Sequence, residues 1–138
     1  MTAVHFKTAA DARSGLKALL DAAVEGRAAT VRRADQLAAV VDAVRLRDAL
    51  ERVVTSEPVV VHEGGEWAAF LPGLPISAGG ATIGEAVDDL VVAMREYAED
   101  WHSRLRLAPN HRDAWGFVQL VDLSTDDQLR TWLTRSAS

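Results

Sequence analysis

The side chains in this sequence whose types could do chemistry are four histidines, a pair of adjacent aspartates, a Gly-Gly step before a helix and a set of basic residues. His5, His62, His102 and His111 never fall at the i, i+4 or HExxH spacing that puts two ligands on one metal, so no metal site is expected. Asp88 and Asp89 point to different faces of a helical stretch, which argues against a paired-carboxylate acid/base site. Gly79-Gly80 is followed by no Gly-Lys-Thr/Ser element, and no Gly-x-Ser-x-Gly surrounds Ser77 or any other serine. The chain has no cysteine, which removes thiol nucleophiles, disulfides and thiolate metal sites together. The expectation is a protein that is not an enzyme and needs no cofactor. What remains is Lys7, Arg13, Arg32 and Arg33, basic side chains of the kind that meet phosphate or base edges; the plainer alternative is a solvated face.

Charge separates along the chain. Residues 1–56 carry nine Lys or Arg against seven Asp or Glu, whereas residues 57–138 carry six Arg against thirteen acids. A mildly basic part joined to a strongly acidic one suits a protein that touches nucleic acid at one end and a cationic partner at the other, although surface charge also varies without purpose.

The elements that must position these residues follow from periodicity and caps. Val4-His5-Phe6 reads as a short strand, and Thr8 with Asp11 caps one helix from about Ala9 to the stop at Gly26, with a face of Leu16, Leu19, Leu20, Ala23 and Val24. Ala29–Arg32 and Leu37–Val41 then flank Arg33-Ala34-Asp35-Gln36 as a hairpin. Asp42 caps a second helix to about Val54 with a face of Leu46, Leu50, Val53 and Val54, and Ser56-Glu57-Pro58 stops it. Val59–His62 and Trp67–Leu71 form a second hairpin across Gly64-Gly65, and a short strand Ile76–Ala78 ends in a Gly-Gly turn. Thr82-Ile83-Gly84-Glu85 opens a long helix to about Ser103 with a face of Ala86, Leu90, Ala93, Met94, Tyr97 and Trp101. Phe117–Val121 reads as a strand, and Ser124 caps a last short helix. The expected class is α+β, with βαββα over residues 1–56, βββα from residue 57, and a short C-terminal β-α tail to residue 138.

Carried as residues, the stretch from about 3 to 54 resembles the N-terminal domain of the Phd/YefM antitoxins. The match rests on Thr8-Ala9-Ala10-Asp11-Ala12-Arg13 with Leu16, then on Val31-Arg32-Arg33-Ala34 leading to Ala38-Ala39-Val40-Val41. Ala34 stands where the family has glycine, which points to a displaced or wider hairpin. The resemblance implies a symmetric homodimer that binds palindromic operator DNA, with Thr8, Arg13 and Arg32 or Arg33 meeting the duplex. Residues 59 to about 103 resemble the HicB-like antitoxin fold through the Gly-Gly hairpin before Trp67, the Phe70-Leu71-Pro72-Gly73-Leu74-Pro75 strand exit and Thr82-Ile83-Gly84-Glu85-Ala86. The whole is similar to a family of antitoxins of RelE-type toxins, which implies a cognate toxin as partner; the acidic second unit suits a basic, RNA-cleaving one, so a small ribonuclease is expected.

For toxin binding the candidates are Leu129, Trp132 and Leu133, part of an apolar set with Leu120 and Leu123 that either docks into a toxin groove or closes the chain's own core or a dimer interface. Trp67, Trp101 and Trp115 read as core anchors. An ordinary globular balance over 138 residues, 49% hydrophobic and 25% charged, excludes disorder and fibrous repeats. With no membrane span of about 18 apolar residues and no signal-peptide core at the N-terminus, a cytoplasmic protein is expected. The competing class is an oligomerising interaction module that keeps a Phd-like dimer without DNA binding.

Overall fold

The computed structural model describes residues 1–54 and 57–135. The chain divides into two compact units, Met1–Asp48 and Ala49–Ser138. That division falls inside a helix, ahead of the expected boundary at residue 56; Ser56 itself lies outside the described residues.

The first unit is a three-stranded sheet with two helices. Strand β1 (Val4–Phe6) leads through α1 (Ala9–Ser14) and α2 (Leu16–Val24) to β2 (Ala29–Arg33) and β3 (Gln36–Ala39). β1 runs parallel to β2, Val4 opposite Ala29 and Phe6 opposite Val31, a pairing that needs the helical crossover between them. Thr8 caps α1 as expected, its Oγ1 accepting from the Asp11 N–H at 3.0 Å. The single helix expected from Ala9 to Gly26 is instead broken at Gly15, where φ −105° and ψ 25° leave the helical basin and the next helix starts on a shifted phase. The expected apolar face lies wholly on α2 and is covered along one side only. Leu19, Ala22 and Ala23 are buried, while Leu16, Leu20 and Val24 are 51%, 47% and 62% exposed. Leu19, Ala22 and Ala29 form a small core with Val4, Phe6, Val31 and Val40 packed against it.

The β2–β3 hairpin is tighter than Ala34 suggested. Arg33 pairs with Gln36, leaving only Ala34-Asp35 in the turn, and Ala34 takes φ 55° in the left-handed region that favours glycine. β3 stops at Ala39, short of Val41. Helix α3 (Ala43–Val53) follows, with Asp42 Oδ2 accepting from the Arg45 N–H at 3.2 Å. Of its expected apolar face only Leu50 is buried, and Val53 is exposed.

The second unit is an antiparallel sheet, β4 (Val59–Glu63), β5 (Glu66–Leu71) and β6 (Ile76–Gly80), backed by α4 (Ile83–Ser103) and followed by α5 (Trp115–Leu123) and α6 (Asp126–Arg135). Gly64 and Gly65 supply φ 61° and 82° for the two-residue turn between β4 and β5, the positive values a twisted hairpin requires. The expected Gly-Gly turn after Ala78 does not form. Gly79 and Gly80 continue β6, because α4 lies so close that a Cβ on Gly80 would stand 2.8 Å from the Ala86 backbone nitrogen. At the start of α4, Thr82 Oγ1 accepts from the Glu85 N–H at 3.1 Å, and the Glu85 carboxylate accepts from the Ala81 N–H at 2.9 Å.

The C-terminal region departs most from expectation. Phe117–Val121 is helical, so the β-α tail is two helices. Phe117, Val118, Leu120 and Val121 are buried while Gln119 is exposed, the pattern of one helical face rather than of strand alternation. Ser124 ends α5, its hydroxyl donating to Leu120 O at 2.6 Å. The last helix is preceded by Thr125 in a reciprocal box: Thr125 N–H donates to Gln128 Oε1 at 2.8 Å, and Gln128 N–H donates to Thr125 Oγ1 at 3.2 Å. Between α4 and α5 the chain makes two single turns of 3₁₀ helix, Leu105–Leu107 and Arg112–Ala114. The core comprises Leu71, Leu90, Met94, Val118, Leu120, Val121 and Leu129. Trp132 is buried in it, whereas Trp67 and Trp101 are half-buried and Trp115 is exposed, so Trp115 is no core anchor.

Candidate functional site

Of the basic residues singled out in the first unit, Lys7, Arg32 and Arg33 lie at one end of its sheet. β1 and β2 are parallel with Phe6 opposite Val31, so Lys7 and Arg32 leave the sheet at the same end, with Thr8 and α1 directly after Lys7 and Arg33 at the end of β2. Arg13 is in the last turn of α1. All five side chains, Lys7, Thr8, Arg13, Arg32 and Arg33, are exposed. Arg33 donates to Gln36 Oε1 at 3.2 Å; among the described residues Lys7, Arg13 and Arg32 have no ion-pair or hydrogen-bond partner on their side chains.

Other cations of the unit are engaged. Lys17 holds Asp21 at 2.7 Å, which raises the lysine pKa, and Arg27 reaches Glu25 at 2.9 Å and the Thr2 carbonyl at 2.7 Å. Beside this basic end, α2 turns Leu16, Leu20 and Val24 outward at i, i+4, i+8 spacing, and Leu37 and Val41 are exposed as well. Within this unit Leu19 is the one large apolar side chain that is buried, while Met1 and Val44 are exposed besides these five.

In the second unit Leu129, Trp132 and Leu133 do not face solvent. They are buried with Phe117, whose ring lies 6.3 Å from that of Trp132, and so they close the core of their own unit. Access to them would require α6 to leave that core. What holds the two C-terminal helices is Arg95, which the sequence did not single out. Its guanidinium donates to the Val121 and Ser124 carbonyls at 2.6 and 2.8 Å and to Asp126 Oδ1 at 2.8 and 3.1 Å, joining α4 to the end of α5 and the start of α6.

Two histidines of the second unit have side-chain partners. Tyr97, whose pKa burial raises, lies with its hydroxyl 2.9 Å from His111 Nδ1, and His102 meets Asp122 at 2.6 Å. No group of three or more metal-ligating side chains occurs among the described residues, and no helix there is long and apolar enough to cross a membrane.

The second unit exposes apolar side chains at Ile83, Val92, Leu107 and Trp115 and also on its sheet. β4 is exposed along its whole length and pairs only with β5 among the described residues, and Phe70 is also turned outward. Between Arg52 and Arg95 the chain has no Lys or Arg and six acids, Glu57, Glu63, Glu66, Glu85, Asp88 and Asp89. This acid-only stretch was legible in the sequence and narrows the acidic half to the sheet and the first half of α4.

With these surfaces in view, a protein-family model matches residues 3–133, nearly the whole chain; it is the PHD-like family, described as the antitoxin of a RelE/RelB toxin–antitoxin system. The chain belongs to the PHD-like antitoxin family. A PHD-like antitoxin is by definition one half of a toxin–antitoxin system, so a cognate toxin is its partner. The fold is also that of a crystal structure from Syntrophomonas wolfei subsp. wolfei described as an antitoxin part of a toxin/antitoxin system. The two superpose with a TM-score of 0.79 over 96% of each chain at 19% sequence identity. No curated protein matches the sequence.

Proposed function

We propose that this antitoxin is a cytoplasmic homodimer that binds operator DNA through its first unit and neutralises its toxin, a small ribonuclease, through its second, by binding rather than by catalysis. In this reading the first unit works as in Phd/YefM antitoxins and the second as in HicB-like ones. The observation that carries the proposal is the coincidence in one small unit of an outward apolar stripe, Leu16, Leu20 and Val24, with a sheet end bearing Lys7 and Arg32 and a helix bearing Arg13, three cations without a side-chain partner among the described residues. The stripe supports pairing of two copies, and pairing doubles a cationic surface that is small in one copy. A two-fold axis then sets the spacing of two half-sites.

The test is binding of the purified chain to the DNA just upstream of its own gene, against a scrambled fragment of equal length, over a salt series. The expected result is specific binding that weakens steeply with salt, and a shallower salt slope for Arg13→Ala. Equal binding to both fragments, or none, removes the operator reading and leaves an oligomerising interaction module.

A further inference from the structure

We infer that the free edge of β4, with the cleft beneath it, takes an extended basic segment of the toxin as an added fourth strand. The inference rests on the toxin-binding reading and names the surface that does the binding. The tight turn at Gly64-Gly65 makes Glu63 and Glu66 a hydrogen-bonded pair, so Val61 with Ala68 and Val59 with Phe70 are the next such pairs along the ladder. By the same alternation the backbone groups of Val60 and His62 point away from β5, toward the open edge. The side chains of His62 and Trp67, in the closer kind of pair, stack at 4.1 Å with their planes 5° apart, as that register requires.

Edges of this kind are normally blunted by lysine, proline or a covering element. β6, the opposite edge, is: the Gly79 N–H donates to Asp89 Oδ2 at 3.1 Å. β4 instead offers three consecutive valines, each 38–43% exposed. On the α4 side of the edge lies a cavity of about 140 Å³ lined by Val60, Ala69, Ile83, Val87, Leu90 and Leu133. A strand laid beside β4 would send alternate side chains into this apolar cavity and the others out beside Val59 and Val61.

The charge around the edge selects the occupant. Glu57 borders the cavity, Glu63 and Glu66 close the hairpin, and no Lys or Arg occurs between Arg52 and Arg95. A second copy of the chain would bring the same acids edge to edge, so self-pairing is disfavoured, while a segment with basic residues beside apolar ones is matched in both respects.

The test uses the full-length chain and the protein encoded beside its gene, with affinity measured by calorimetry and folding checked by circular dichroism. Val60→Pro removes an N–H that faces the open edge and leaves the β5 ladder intact, and it should weaken the complex at least tenfold. Val61→Lys and Val61→Glu remove the same apolar surface with opposite charge; Lys should cost at least tenfold and Glu less than threefold. That pair decides the matter if Val60→Pro does not fold. A wild-type chain that forms no complex overturns the toxin-binding reading and this inference with it. A complex that all three variants bind within twofold of wild type overturns this inference alone. Equal losses for Val61→Lys and Val61→Glu overturn the assignment of a basic occupant, and a change in the size of the free chain on Val60→Pro assigns the edge to a second copy.

Discussion

The two units solve the problem of burying apolar surface in opposite ways. The first, Met1–Asp48, buries Leu19, the alanines Ala12, Ala22, Ala23 and Ala29 and the side chain of Arg47, and leaves Leu16, Leu20, Val24, Leu37, Val41 and Val44 exposed. The second packs Leu71, Leu90, Met94, Leu120, Leu129 and Trp132 out of solvent within its own fold. A unit of fewer than fifty residues with one large buried apolar side chain has a core that supplies little stability, so the proposed pairing of two copies would matter most there. The second unit has a core of its own, although it too exposes apolar side chains, on its sheet at Val59, Val60, Val61 and Phe70 and elsewhere at Ile83, Val92, Leu107 and Trp115. The proposed partners answer that difference: a like copy for the first unit, an unlike protein for the second.

Spectroscopy can follow the units separately. All four tryptophans and the single tyrosine lie in the second unit, and the only aromatic residue of the first is Phe6. Tryptophan fluorescence therefore reads the second unit while circular dichroism reads both. The largest effect is expected from Leu90→Ala, which removes a fully buried side chain between α4 and the sheet and should destabilise the second unit by about 2–5 kcal/mol. The loss should be the same at every protein concentration in a fluorescence-detected urea titration. A concentration-dependent fluorescence midpoint would erase the contrast between the units.

Leu20→Asp addresses the other side of it. A dimer stabilises its protomers by mass action, about 2.7 kcal/mol at a hundred times the dissociation constant, and a carboxylate in the centre of the α2 stripe removes that contribution. The variant should sediment as a monomer, lose the concentration dependence of the dichroism-detected transition and leave the fluorescence transition in place. A wild-type chain that is monomeric at all concentrations would show that the first unit stands on its small core alone.

How far the sequence revealed this arrangement depended on how local the signal was. Thr8 with Asp11, Thr82 with Glu85 and the turn at Gly64-Gly65 are interactions over two or three residues, and each is where the sequence places it. Leu16, Leu20 and Val24 were assigned to one face with Leu19 and Ala23, and all five do lie on α2; the apolar arc of that helix is wider than its small unit covers, so the side bearing Leu19 and Ala23 is buried and the other side stays exposed. Phe117–Val121 was read as a strand because a short apolar run rich in β-branched residues fits either element, yet Gln119 as its only polar member already marks a helical face. Leu129, Trp132 and Leu133 were rightly grouped, but an apolar helix face is the same in a core and in a docking surface, and only the packing of α4 and α5 decides between them. Of the candidate DNA contacts, the sequence supplied the residue types and the parallel pairing of β1 with β2 supplied the common end of Lys7, Arg32 and Arg33.

Arg95 was not legible at all, since its partners lie 26 to 31 residues away on two other helices. Arg95→Met should cost about 2 kcal/mol, because two carbonyls and the Asp126 carboxylate lose a charged donor at once. The loss belongs to the fluorescence transition. A cost below 0.5 kcal/mol, the scale of an ordinary surface substitution, would mean that packing alone holds α5 and α6 on α4.

The smallest effect is expected in the opposite direction and in the first unit. Ala34 occupies a left-handed conformation, φ 55°, in a turn of only two residues, and an L side chain there costs roughly 1–2 kcal/mol relative to its relaxed backbone. Glycine relieves that cost and adds freedom to the unfolded chain, two terms that oppose one another, so Ala34→Gly should stabilise the unit by about 0.5–1 kcal/mol. Because β2 and β3 belong to the unit with the small core, the gain should raise the dichroism-detected midpoint and leave the fluorescence-detected one unmoved. A midpoint that falls instead would mean that the turn opens in solution to the wider form that an alanine at this position favours.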